Sequence, residues 1–504
     1  MTIHSDWGKL LHEECPDAFT DDLPSGQWDV GVIDGHLQLM CLNSNFISWD
    51  RFIQVMYLAP IYKLFKLGCP TVVLCFDNYE KVPAYKNMTQ LKRSQGKKVA
   101  VFHPKQLLPP IIPEDAMLFL MNRDFKVKLV HTICNKLPSM ITMERHQSLI
   151  IDYKSVVLYS PLLENEKCIG CLPPKTLSQY KPMGESDVKF VRYAESMGNA
   201  LIHAIDGDYM IIALLYYCTH GMRQNNKIFI LRQQSILQNH SKAKVELSHS
   251  DKKRKRSILG AALHEQVCSV DDFFQQEASK SKASKPSATD AKQKGGKKIK
   301  WWVNMQMLFE HLIAIGSEVS EEWSHQIYAG ASTFPPSEAA SAFFSKIVET
   351  QIFLILMAGT DFSRSFPMIG PKRIWDFWPQ IVKNHRLFLD ETCADEEYIL
   401  DVIVNSMYNV LFAKHIPSYI LQNHDWEVTY AYIQSCGTIS ETSKKRIPAK
   451  EQILCTIRNI RWLIKYWKTI NGSISTPLDG SNGFSSSVTE QGKVVFSDQI
   501  LACC

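Results

Sequence analysis

Short apolar runs alternate with amphipathic stretches through the first half of the chain. The runs are rich in β-branched residues and predict strands, and the stretches between them have helical spacing. The predicted elements are strands at Val30–Ile33, Thr71–Phe76, 148–160, Ala200–Ile205 and 226–232, and helices at Ser186–Met197 and after Asp208. Alternation of this kind favours an α/β fold with a mainly parallel sheet flanked by helices.

The second half of the chain has a different pattern. Helical spacing begins at Trp301, continues to about Lys383 and extends to about Asn471. Composition and pattern divide the chain into seven segments: 1–99 and 184–237 as two parts of one core, 100–183 as a divergent arch or insertion, 238–299 as a disordered basic insertion, 300–383 as a helical part with a turn, 384–471 as a helical C-terminal region, and 472–504 as a flexible tail.

The basic insertion, residues 238–299, accounts for the positive charge of the chain. Residues 241–300 contain 15 Lys and Arg against 7 Asp and Glu, a net of +8, whereas the whole chain has a net charge of +5, so the remainder carries −3. Lys, Ser, Ala and Gln dominate the segment, which lacks the apolar surface needed to order itself. A basic appendage on a mildly acidic body suits a polyanionic partner.

Two short motifs lie within this insertion. KKRKR at 252–256 suits a nuclear import signal, and its alternative is a solvated basic linker. Val267–Phe274 is an apolar island, which predicts a docking peptide for some partner. It partly resembles a sliding-clamp-binding peptide, with the leading glutamine displaced by one position to Gln266.

No part of the sequence predicts a membrane protein. The longest apolar stretches, such as IFLILMAG, are far too short to cross a bilayer, and the N-terminus lacks the pattern of a secretory signal. Fourteen cysteines in such a chain are best explained as reduced thiols. These features predict a soluble intracellular protein.

Seven acidic residues in five short motifs indicate the chemistry. Each of the first four motifs adjoins an apolar run, and the fifth ends a long apolar helix. The residues are Asp34, Asp77, Glu185, Asp187, Asp206, Asp208 and Asp361. Ligand sites of α/β sheets form at the carboxyl ends of the strands, and buried charges there must be paired or bind metal. Converging carboxylates repel one another unless divalent cations bind them, so we expect a metal-dependent phosphodiesterase.

The motifs, taken in order, resemble those of the flap endonuclease/XPG-type 5′-nuclease family, which has a PIN-like α/β core. The matching stretches are WGKLL (7–11), VIDGHLQLM (32–40), CFDNYEKVPAYKNMTQLKRS (75–94), GESDVKFVRYAE (184–195), AIDGDYMI (204–211) and LILMAGTDFSRSFPMIGPKRIWDF (354–377). The resemblance covers about 1–95, 184–232 and 340–380. It implies a PIN-like, flap-endonuclease-type core with a helical C-terminal part.

The resemblance also implies roles for individual residues. The seven carboxylates would surround two Mg²⁺ ions, for which Mn²⁺ should substitute. Asp77, Glu185, Asp187, Asp206 and Asp208 would bind directly, and Asp34 and Asp361 largely through water. Lys86 and Arg93, seven residues apart on one helix face, would stabilise the charge that develops on the scissile phosphate. Asp187 replaces the glutamate that is usual in the family.

The turn FPMIGPKR at 366–373 resembles the helix-hairpin-helix duplex anchor of the family, which is often organised around K⁺. The backbone at Gly370 would approach a phosphate, and Lys372 and Arg373 would contact one strand of the duplex. Met368 stands where the family commonly has its first turn glycine.

The resulting prediction is a structure-selective 5′-nuclease that cuts DNA near junctions of duplex and single strand. A 5′→3′ exoribonuclease with the same PIN-like carboxylates is one alternative, against which IGPKR after Asp361 argues. A second alternative is an inactive scaffold that binds nucleic acid. Its weakness is that an inactive protein has no reason to keep seven mutually repelling carboxylates.

Overall fold

The computed structural model describes most of the chain from residue 4 to residue 498. The described residues are 4–22, 26–42, 46, 48–78, 100–161, 174–180, 183–204, 206–220, 226–235, 298–319, 338–359, 368–376, 396–422, 425–468, 484–488 and 494–498. Several predicted features lie outside them, namely Lys86, Arg93, Asp361, the KKRKR motif and Val267–Phe274.

The described part of the chain contains a nine-stranded sheet with the strand order β1-β9-β8-β7-β2-β3-β4-β5-β6. The strands are β1 Phe19–Thr20, β2 Val30–Asp34, β3 Thr71–Cys75, β4 Ser148–Asp152, β5 Val156–Tyr159, β6 Lys175–Thr176, β7 Ala200–His203, β8 Ile228–Ser235 and β9 Lys298–Asn304. The central strands β8, β7, β2, β3 and β4 are parallel, and the strands at both edges are antiparallel. The expected α/β class with a largely parallel central sheet is therefore confirmed.

One predicted element is wrong in type. Helical spacing was expected to begin at Trp301, but Trp301 and Trp302 lie in β9, and the helix begins at Met305. The reason is tertiary, because β9 pairs antiparallel with β8 and buries Trp302 and Val303 in the core. The basic insertion thus connects two neighbouring antiparallel strands near one edge of the sheet.

Helices cover both faces of the sheet. They are His4–Glu14, Gly35–Leu39, Trp49–Ile53, Ala59–Lys66, Ala116–Leu120, Arg123–Met140, Ser186–Met197, Asp208–His220, Met305–Val319, Glu338–Met357, 371–376, Glu396–Tyr398, Asn405–Leu411, Ser418–Leu421, Trp426–Ser435, Glu441–Lys444 and Lys450–Lys468. Turns of wider or tighter helix occur at Pro16–Ala18, Gln54–Leu58 and Ile399–Val404. Among the described residues, none of these helices is both long enough and apolar enough to cross a membrane.

Alternate residues of the central strands face two separate cores. Val32 of β2 belongs to the core that contains Ser186–Met197, Asp208–His220 and the later helices. Its neighbour Ile33 belongs to the core that contains Ala59–Lys66 and Arg123–Met140. This alternation is what a parallel sheet buried on both faces requires.

Two of the segments contribute strands. Residues 100–183, expected to be an arch or insertion, contribute β4 and β5 at the predicted strand 148–160, and β4 pairs parallel with β3 inside the sheet. Residues 472–504, expected to be a flexible tail, contain a hairpin of β10 (Phe484–Val488) and β11 (Val494–Asp498). The region 396–468 is helical, as expected.

Candidate metal centre

The carboxylates of the first two motifs lie at the carboxyl ends of neighbouring parallel strands. Asp34 is the last residue of β2 and pairs in register with Cys75, the last residue of β3. Asp77 follows two residues later, and both aspartates are buried. A Cβ atom on Gly35 would lie 2.8 Å from the carbonyl oxygen of Cys75, so only glycine permits this close approach of the two strand ends.

The helix Ser186–Met197, called here the Ser186 helix, connects these two aspartates. The Ser186 backbone N–H donates to Oδ1 of Asp77 at 2.9 Å, and the Ser186 hydroxyl donates to Oδ1 of Asp34 at 3.3 Å. Just before the helix, the carbonyl of Gly184 accepts from the N–H of Asn78 at 2.6 Å. The helix N-terminus favours negative charge, so it stabilises carboxylates at this position.

The electrostatics of Asp34 show that at least three carboxylates interact. Its Oδ1 accepts from the N–H groups of His36 (2.9 Å) and Leu37 (3.3 Å), which caps the following helix and lowers the pKa. Burial, followed by the negative charges of Asp77 and Asp187, outweighs these bonds and raises the pKa of Asp34 to about 7. The site therefore holds more negative charge than the protein alone neutralises at this point.

Three further expected ligands lie on the adjoining elements. Glu185 immediately precedes the Ser186 helix and is fully buried. Asp208 is the buried first residue of the helix Asp208–His220, and its N–H donates to Oδ1 of the exposed Asp206 at 3.3 Å. The pKa of the next residue, Tyr209, is raised well above its usual value. Burial is the main cause, and the negative charges of Asp34 and Asp187 add to it.

The described side chains do not form a closed metal cage. Within the part of the chain that the structure describes, no three His, Cys, Asp or Glu residues are arranged so that they could hold a metal ion by themselves. The expected donors are nonetheless all carboxylate oxygens, which are hard ligands, and those described are buried except Asp206. This donor chemistry fits Mg²⁺, which keeps several waters and typically binds one or two carboxylates together with substrate phosphate.

The turn expected to anchor duplex DNA is described from residue 368 onward. Met368 has a φ of 67°, a left-handed conformation that glycine adopts at lower cost, so the turn keeps the backbone shape that a glycine would favour. Gly370 is exposed, and a Cβ atom added to it would meet nothing within 4 Å. Lys372 lies 3.4 Å from Oε1 of Glu14 and 3.0 Å from Oδ1 of Asp376, and Arg373 is exposed.

Sequence reasoning missed a buried charged group behind the carboxylates. Asp152 ends β4, and its side chain contacts Lys189, Arg192 and Tyr193 of the Ser186 helix. Two signals were available: SLIID ends in an aspartate as VGVID does, and Lys189 stands between the apolar residues Val188 and Phe190 in the helix. His36 was also missed, and its Nε2 lies 3.8 Å from Oδ2 of Asp77.

Comparison with known proteins adds no further assignment. No protein-family model matches the chain, and no curated protein matches it.

Proposed function

We propose that the protein is a metal-dependent, structure-selective 5′-nuclease that hydrolyses DNA near junctions of duplex and single strand. The observation that carries this proposal is the convergence of Asp34 and Asp77 at the carboxyl ends of neighbouring strands, where Ser186 donates hydrogen bonds to both carboxylates. Burial, and then the charges of Asp77 and Asp187, raise the pKa of Asp34 at this place. These carboxylates come from two parallel strands and the Ser186 helix and meet at one edge of the sheet. A protein gains nothing from such repulsion unless a cation completes the site.

The carboxylates of the chain would bind the metal ions in two ways, directly or through water. Asp77, Glu185, Asp187, Asp206 and Asp208 would hold two Mg²⁺ ions directly, with Asp34 and Asp361 acting largely through water. When bound, the ions supply a nucleophilic water at neutral pH and stabilise the leaving oxygen.

Other residues would orient the ligands and the substrate. The N–H of Ser186 fixes the carboxylate of Asp77, and the hydroxyl of Ser186 reaches Asp34. Lys86 and Arg93 would stabilise the developing negative charge of the phosphate. Gly370 and Arg373, exposed on the turn and the short helix after it, would contact the phosphates of the duplex, which position a substrate without reading its sequence.

The test is cleavage of end-labelled 5′-flap DNA and of a matched 5′-monophosphate RNA, each with Mg²⁺ and with EDTA. Asp187→Asn removes one buried charge at the candidate site while keeping its shape. Asp50→Asn is the matched control, because Asp50 is an exposed aspartate whose Oδ1 pairs with Lys136 at 2.6 Å.

We expect the wild type and Asp50→Asn to cut flap DNA near the junction, and Asp187→Asn and all EDTA reactions to be inactive. Degradation of RNA alone would identify the exoribonuclease instead. Tight flap binding with no cleavage of either substrate would identify the scaffold and contradict the proposal.

A further inference from the structure

A fully buried lysine lies directly behind the carboxylates. Lys189 is on the Ser186 helix, and its side chain has no exposed surface. Its Nζ donates to the carbonyl oxygen of Phe76 at 2.6 Å and to that of Asp152 at 3.2 Å, and lies 2.8 Å from Oδ1 of Asp152. The two carbonyl oxygens accept hydrogen bonds from the ammonium, and the carboxylate of Asp152 forms an ion pair with it, which compensates the buried charge.

The charge of Lys189 is balanced within a small network. Oδ2 of Asp152 accepts from the hydroxyl of Tyr193 at 2.8 Å and lies 3.7 Å from a terminal nitrogen of Arg192. Asp152 therefore has two cationic partners, Lys189 and Arg192. With one carboxylate and two cations, the network carries a net positive charge behind the acidic site.

The bond from Lys189 to Phe76 lies next to an expected metal ligand. The Phe76 carbonyl belongs to the peptide bond that joins Phe76 to Asp77. The segment 76–78 is thus held by three bonds to the segment 184–189: Phe76 to Lys189, Asp77 to Ser186 and Asn78 to Gly184. Two of these bonds use backbone groups of residues 184–189, and Lys189 provides the side chain of the third.

We propose that Lys189 is a positioning residue that holds the peptide before Asp77 and so fixes this carboxylate for metal binding. The inference rests on the proposed function for its catalytic consequence. Replacing a whole buried ion pair by apolar residues is often tolerated, whereas removing one partner is strongly destabilising, so stability alone does not reveal the role of Lys189. The bond to the Phe76 carbonyl gives Lys189 a role beyond the ion pair, because losing it removes one of the three bonds that hold the segment 76–78 against the segment 184–189.

Lys189→Met is the direct test, since it removes the ammonium and keeps an unbranched apolar side chain. Asp152 then retains Arg192 and Tyr193 as partners, so its charge stays compensated. Lys189→Gln is a second variant, used should Lys189→Met fail to fold. Its side chain is one atom too short to reach the Phe76 carbonyl with the same geometry.

Two controls separate positioning from stability and from charge. Gln351→Met removes another fully buried side chain, whose Nε2 donates to the carbonyl of Leu312 at 2.8 Å, on the helix Glu338–Met357, which ends before Asp361. Asp152→Asn removes the one negative charge of the network but leaves oxygen acceptors for Lys189, including the Phe76 carbonyl.

The primary measurement is the Mn²⁺ dissociation constant of each full-length protein by calorimetry, with kcat and KM on flap DNA beside it. We expect Lys189→Met and Lys189→Gln to bind Mn²⁺ about tenfold to a hundredfold more weakly, the range typical of residues that orient metal ligands. At fixed Mn²⁺, kcat should fall while KM for DNA stays the same. Gln351→Met and Asp152→Asn should change the Mn²⁺ affinity less than about threefold.

Mn²⁺ binding by both Lys189 variants within about twofold of the wild type would overturn the inference, as would equal weakening in Gln351→Met or Asp152→Asn. Failure of the proposed function has a different signature, since the wild type itself would then cut neither DNA nor RNA. The Mn²⁺ affinities of the variants would still decide the role of Lys189 in that case.

Discussion

The raised pKa of Asp34 predicts how the stability of the metal-free protein depends on pH. An exposed aspartate has a pKa of 3.8, and in the fold that of Asp34 is about 7. Between these values the folded chain binds one proton more than the unfolded chain at this residue. Its contribution to stability is therefore present below about pH 4 and is lost as the pH rises toward about 7.

The magnitude follows from the same two pKa values. Each pH unit in this window removes about 1.4 kcal/mol from the free energy of unfolding, which amounts to about 4 kcal/mol across the whole window. Asp34→Asn isolates this contribution, because asparagine does not titrate and can still accept the two backbone N–H bonds of the cap. The wild type should thus lose about 4 kcal/mol relative to the variant between about pH 4 and 7.

The assay is urea unfolding of both proteins in EDTA at several pH values between about 4.5 and 7.5, with the midpoints compared at each pH. We expect the urea midpoint of the wild type to fall steadily relative to that of Asp34→Asn as the pH rises. Saturating Mg²⁺ should reverse the shift, because an ion that binds only the folded state stabilises it. Parallel midpoints across the range would refute the argument that Asp34 is held among repelling carboxylates.

Four further substitutions test the geometry. Gly35→Ala places a Cβ 2.6 Å from the Phe76 ring and should lower the free energy of unfolding by about 1–3 kcal/mol, measured by urea unfolding. Gly370→Ala, where the space is open, should change it by less than about 0.5 kcal/mol. Arg373→Ala should weaken flap-DNA binding and reduce the slope of log affinity against log salt concentration by about one. Lys372→Ala should have a smaller effect, because Lys372 already forms ion pairs with Glu14 and Asp376. Fluorescence anisotropy across a salt series measures both effects.

The strands and helices around the site were predictable because their signals are local. The Ser186 helix was predicted with its observed bounds, since its apolar spacing ends at Gly198, which has a φ of 112° that favours glycine. The apolar runs of β2 and β3 were likewise short, β-branched and followed by an aspartate. Such patterns need no information from the rest of the chain.

What could not be predicted depends on contacts between distant residues. The bond from Ser186 to Asp77 joins residues 109 positions apart, and the contact of Lys189 with Asp152 joins residues 37 apart. The sequence around each aspartate does not indicate that Asp152 lies beside two cations whereas Asp34 lies beside other carboxylates. Trp302 was misassigned for a similar reason, because its strand exists only through pairing with β8.

The metal centre is tested most directly by counting the divalent ions that the folded chain binds. The wild type and Asp187→Asn are titrated with Mn²⁺, and free Mn²⁺ is measured by electron paramagnetic resonance. We expect two ions per wild-type chain, displaced by excess Mg²⁺, and weaker or fewer sites in the variant. Binding of no Mn²⁺ by the wild type, or identical titrations of the two proteins, would contradict a metal centre at these carboxylates.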